Sequence, residues 1–98
     1  MENNGLTPSE VTRIKAVFTQ YTQISRVLLY GSRAKGNYRP SSDIDITLIG
    51  ENIDSSIVQQ LIFELDDLLL PYKFDITLYS RITNAELRAH IDRVGIEF

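Results

Sequence analysis

The chain has 98 residues, 43% hydrophobic and 23% charged, with 10 Lys and Arg against 13 Asp and Glu and no cysteine. This is the balance of one ordinary globular domain, and it excludes disulfides and thiolate metal sites. A net charge of −3 argues against nucleic acid as a direct partner, because such binders neutralise phosphates with a basic surface.

Residues 1–98 read as a single domain, with disorder allowed by composition only over residues 1–6. The Met-Glu-Asn-Asn-Gly start lacks the features of a signal peptide, and no apolar run is long enough to span a membrane. A cytoplasmic location is expected. The first helix begins at Thr7-Pro8-Ser9-Glu10, which has the form of a capping box with proline at the first helical position. Val11, Ile14, Val17, Phe18 and Tyr21 follow at helical spacing.

Ile24 to Tyr30 is a strand, and its run Val27-Leu28-Leu29-Tyr30 is apolar throughout, as in strands covered on both faces. Gly31 ends it. A short helical turn is expected from Ser32, as N-cap, towards Tyr38, before a turn-rich connection through Gly36, Asn37, Pro40, Ser41 and Ser42. Asp43 to Ile49 alternates as a second strand, with Asp43, Asp45 and Thr47 on one face and Ile44, Ile46 and Leu48 on the other.

The longest helix is expected over Asp54 to Leu70, with Ile57, Leu61, Leu65, Leu68 and Leu69 as its apolar stripe and Pro71 as its stop. Phe74 to Tyr79 is a third alternating strand, with Asp75, Thr77 and Tyr79 opposite Phe74, Ile76 and Leu78. A final helix is expected from the capping box Thr83-Asn84-Ala85-Glu86 to about Val94, ending at Gly95. Ile96-Glu97-Phe98 is too short to classify. This order predicts an α/β (α+β) domain, a small mixed sheet of three or more strands with helices on one face. The other face then carries three aspartates.

Asp43 and Asp45, two residues apart on a strand, leave the same face roughly 7 Å apart. Carboxylates so placed repel each other unless a cation lies between them, and oxygen ligands suit magnesium or manganese. Taken alone, the pair is equally an exposed loop-to-strand junction. Asp75 on the same face adds a third carboxylate, able to bind metal and to take a proton from an attacking hydroxyl. Gly31-Ser32, between a buried strand and a helical turn, offers backbone N–H groups and a hydroxyl to an anion. His90, the single histidine, reads as an ordinary helix residue. Tyr21, Tyr30, Tyr38, Tyr72 and Tyr79 read as packing aromatics, and Glu64, Asp66 and Asp67 as the polar side of the long helix. The apolar faces of the first and last helices are candidate partner surfaces.

The spacing is specific. Gly31-Ser32, ten residues, then Asp43-Ile44-Asp45 resembles the defining pattern of the polymerase-beta-like nucleotidyltransferase superfamily. Tyr30-Gly31-Ser32-Arg33-Ala34-Lys35-Gly36 together with Ser42-Asp43-Ile44-Asp45-Ile46 closely resembles its minimal members, the MNT proteins. Asp75 falls where that family carries its third carboxylate. The resemblance implies the nucleotidyltransferase fold and ATP as substrate, its phosphates at Gly31 and Ser32 with Arg33 assisting. It also implies Mg²⁺ or Mn²⁺ held by Asp43, Asp45 and Asp75, and transfer of AMP to an acceptor hydroxyl with loss of pyrophosphate.

Larger relatives carry an acceptor-binding domain, for which 98 residues leave no room. The resemblance therefore implies a separate acceptor, a small helical HEPN-type protein modified on a tyrosine within a toxin–antitoxin pair, and a homodimer or hetero-oligomer as the working form. Two alternatives stay open: a silent nucleotide-binding module that neutralises its partner by complex formation, and an enzyme acting on a small molecule such as an aminoglycoside.

Overall fold

The computed structural model describes residues 4–98. Residues 1–3, part of the expected disordered end, lie outside the described residues. The next residue, Asn4, is buried, and its side chain accepts from the Leu6 N–H at 2.9 Å.

Helix α1 spans Pro8–Phe18 behind a complete capping box: the Thr7 hydroxyl accepts from the Glu10 N–H, and the Glu10 carboxylate accepts from the Thr7 N–H. Strand β1 spans Ile24–Tyr30, α2 spans Ser32–Lys35, and β2 spans Ile44–Gly50. Helix α3 covers Ser55–Asp66, shorter than its apolar pattern suggests. Leu68 and Leu69 make tight turn bonds to Leu65 and Asp66, Leu69 takes a left-handed φ of 57°, and the chain unwinds ahead of Pro71, whose ring disfavours helix at the residue before it. Leu69 is consequently 87% exposed instead of completing the stripe.

Strand β3 spans Phe74–Leu78, and Tyr79 opens a short 3-10 turn to Arg81 instead of extending the strand. Helix α4 spans Ala85–Val94, capped by Asn84, whose side chain accepts from the Leu87 N–H. The cap is thus one residue later than the Thr83 box predicts, in keeping with asparagine's rank above threonine at this position. Strand β4, Ile96–Glu97, pairs antiparallel with Leu28 and Leu29.

The sheet order is β3-β2-β1-β4, with β1 antiparallel to β2 and β4 and β2 parallel to β3. On one face α1 and α3 bury Ile14, Val17, Phe18, Leu61 and Leu65 against Leu29, Ile44, Ile46 and Leu48. The expected mixed sheet is therefore present, with one strand more than the three that periodicity reveals. On the second face Ile91 of α4 and Ile82 pack against Leu28 and Tyr30. This explains why the Val27–Tyr30 run of β1 is apolar throughout; Asp45 and Asp75 lie on this same face, half-buried and exposed respectively. Among the described residues, no helix is long and apolar enough to cross a membrane.

Candidate active site

The site forms where the end of β1 lies beside the start of β2. Tyr30 is paired with Asp45 across the antiparallel ladder, and Asp45 with Asp75 across the parallel one. Residues paired in this way present their side chains on the same face, with strands about 4.8 Å apart. Both carboxylates thus stand together, Asp75 exposed and Asp45 half-buried. Asp43 precedes β2 and is exposed; the N–H of the next residue, Ile44, donates to the Lys73 carbonyl at 2.8 Å and fixes the strand entrance. Thr47, expected on the open face with the aspartates, is fully buried, because α4 and Ile82 cover that part of the sheet.

Burial and then the repulsion of Asp75 and Asp43 push the Asp45 carboxyl up to about 6, against a smaller opposing pull from Arg33. Beneath it, burial raises the Tyr30 phenol, with the charges of Asp75 and Asp45 acting in the same direction. The Tyr30 hydroxyl lies 3.4 Å from the Thr77 hydroxyl.

Gly31 turns the chain away from β1 with φ 75° and ψ −154°, a combination open to glycine alone. A Cβ at this position would run into Asp45 Oδ2. The glycine therefore lets the turn lie against the carboxylate, and it serves as the N-cap of α2 in place of Ser32, which becomes the first helical residue. Among the described residues, no hydrogen-bond acceptor meets the N–H groups of Ser32, Arg33 or Ala34. Both charge types thus meet across a few ångströms: free donors on the turn, crowded acceptors on the strands.

Arg33 does not reach into this space. It is 2% exposed, and its guanidinium donates to the Ser42 carbonyl at 2.9 and 3.2 Å, to Pro40 at 3.3 Å and to Asn4 at 2.9 Å. The rings of Tyr38 and Tyr72 lie 5.3 and 4.9 Å from it. The connection before Asp43 is thus tied to α2 by a buried cation, and neither solvent exposure nor direct phosphate contact describes Arg33 in this conformation. Tyr38, read as loop packing, is one wall of this cage. Tyr72 is the other, with its hydroxyl 3.0 Å from both Glu10 carboxylate oxygens.

The sequence matches the polymerase beta, nucleotidyltransferase family over residues 12–98. The chain belongs to that family. As a nucleotidyltransferase it has close counterparts among solved structures. A toxin–antitoxin structure with AMP-PNP aligns at TM-score 0.73 and 19% identity, over 88% of this chain and 69% of that one. A chain assigned as a minimal nucleotidyltransferase aligns at TM-score 0.73 and 26% identity, over 92% and 93%. The complex of a tri-AMPylated Shewanella oneidensis HEPN toxin with its MNT antitoxin aligns at TM-score 0.62 and 15% identity, over 89% and 69%. No curated protein matches the sequence.

Among the described residues, no three His, Cys, Asp or Glu side chains already enclose a metal position. Asp43, Asp45 and Asp75 supply hard oxygen donors, the ligand type that a divalent cation could take. One residue of the site escaped the sequence reading. His90 of α4 accepts a hydrogen bond from the Gly31 N–H at 3.2 Å, and its ring meets Tyr30 edge-on at 6.2 Å. The signal was available: His90 falls at helical spacing with Leu87, Ile91 and Val94, the stripe that packs on the sheet.

Proposed function

We propose that this nucleotidyltransferase transfers AMP from ATP to a hydroxyl on a small helical HEPN-type protein, in the cytoplasm and within a complex of the two. The observation that carries the proposal is the register of Asp45 against Asp75 beside the Gly31 turn. The Gly31–Ser32 turn receives the phosphates: Gly31 lets them approach closely, and the backbone N–H groups that follow it and the Ser32 hydroxyl donate to them. Asp43, Asp45 and Asp75 hold Mg²⁺, or Mn²⁺ in its place. When bound, the cation neutralises charge on the phosphates and relieves the repulsion that raises Asp45.

The acceptor oxygen attacks the α-phosphorus. A new P–O bond forms, the bond to the bridging oxygen of the β-phosphate breaks, and pyrophosphate leaves. Asp75, exposed at the sheet edge, takes the proton of the hydroxyl. Arg33 acts indirectly, by holding Ser42 and hence the approach to Asp43. Support for the acceptor comes from the complex of a HEPN toxin with its MNT antitoxin, whose chain shares this fold.

The test is incubation of the purified protein with α-labelled ATP, Mg²⁺ and its HEPN-type partner. Label should appear on a partner tyrosine. Nucleotide binding without transfer would overturn the assignment. Survival of partner neutralisation in an Asp43→Asn, Asp45→Asn variant would favour the silent binding module instead.

A further inference from the structure

We propose that His90 is a positioning residue of the transfer reaction, holding the Gly31–Ser32 turn in its phosphate-receiving shape from a helix outside the sequence motif. The proposal rests on the reading of that turn as the nucleotide's phosphate seat. The β1–β2 ladder ends at Tyr30 and Asp45, so the next N–H, that of Gly31, has no strand partner. Gly31 as a residue is only partly exposed. A half-buried N–H without an acceptor is costly, and Gly31 has the backbone freedom to swing it elsewhere. His90 Nε2 supplies the acceptor at 3.2 Å.

An imidazole that accepts at Nε2 carries its proton on Nδ1. The ring is held in place by its edge-on packing against Tyr30, the residue immediately before the turn. Helix α4 is anchored in turn by Ile91, which is buried against Leu28 and Tyr30. One side chain therefore links the second layer of the fold to the backbone that faces Asp45. Because the Gly31 N–H is occupied by His90, the donors left for phosphate are those of Ser32, Arg33 and Ala34. The orientation of those donors is fixed by the Gly31 dihedrals that His90 stabilises.

Two substitutions separate this role from packing. His90→Phe keeps a ring against Tyr30 and removes the acceptor, whereas His90→Gln places a carbonyl oxygen near the position of Nε2. In His90→Phe the Kd for AMP-PNP with Mg²⁺ and the KM for ATP should rise about tenfold, the factor that one net hydrogen bond supplies. His90→Gln should recover most of that loss. The Gly31 amide resonance should move in His90→Phe and return towards its wild-type position in His90→Gln, with His90→Phe melting a few degrees below wild type for its unmet N–H and His90→Gln recovering part of that shift.

Equal loss in both variants, or wild-type binding and an unmoved Gly31 amide in His90→Phe, would overturn the proposal. If the wild-type protein binds no AMP-PNP, the phosphate-seat reading falls. The amide resonance then still decides whether His90 holds the turn.

Discussion

Gly31 and Asp45 are packed so closely that the glycine's missing side chain is what makes room for the carboxylate. The turn that carries the free N–H donors and the strand that carries the Asp45 carboxylate thus have one shared constraint. Gly31→Ala should lose stability twice, through a backbone conformation closed to alanine and through collision with Asp45. We expect a loss of about 3 kcal/mol in urea unfolding, the upper end of the cost of such strain, together with transfer activity. Gly36→Ala is the control: φ there is 86°, but no atom lies within 4 Å of the added carbon, so the cost should stay near 1 kcal/mol.

Asp45 gives the metal-free protein a signature in pH. Its carboxyl stands at about 6 in the fold against 3.8 as the ordinary value. Between those two values the native state holds the proton that the unfolded chain has released, so stability falls as pH rises through this window. Asp45→Asn removes the effect. Without divalent cation, the variant should be more stable than wild type by about 1 kcal/mol at pH 7.5, after discounting for solvent screening, and should match wild type near pH 4. Thermal melts across pH check this. Adding Mg²⁺ should raise the wild-type melting temperature and narrow the gap.

Asp43 and Asp75 are exposed, so their amides should fold normally. Asp43→Asn and Asp75→Asn are each expected to reduce AMP transfer at least about a hundredfold, the scale of a lost electrostatic or proton-transfer contribution. Denaturant midpoints should move little. The two variants should separate in metal titrations: if Asp75 also serves as base, Asp75→Asn stays slow at saturating Mg²⁺.

Arg33→Lys tests the buried clamp. Lysine keeps the charge but cannot reproduce a planar fork on Ser42, Pro40 and Asn4. A loss of about 2 kcal/mol in stability is expected, with faster hydrogen exchange at Ser42 and Ile44, whose N–H groups close the loop onto Arg39 and Lys73. If the loop amides stay protected, Arg33 does not position Asp43.

Much of this arrangement was legible from local chemistry. The Thr7 capping box, the limits of β1 and the alternation of β2 and β3 follow from patterns within a few residues, and they already place Asp45 and Asp75 on one face. What escaped depends on contacts between distant segments. Nothing within Ala85–Val94 states which face of the sheet it covers, although the two-sided apolarity of Val27–Tyr30 required a cover on each. Ile96–Glu97 is too short to show a period and becomes a strand only because β1 has a free edge. The family resemblance implies Arg33 at the phosphates, and its side chain is instead buried. Its burial depends on Tyr38, Tyr72 and the carbonyl of Asn4, which the sequence scatters over almost seventy positions.

The sheet order leaves β3 with a neighbour on one side only. A border strand of this kind displays unpaired backbone groups, an invitation for another chain to dock and start an aggregate. Here that border carries Asp75 and, just ahead of it, Lys73, both exposed. Charge in such a place disfavours pairing with a further strand. Asp75→Asn is therefore expected to aggregate more readily than wild type, a loss that an activity assay alone would mistake for catalysis.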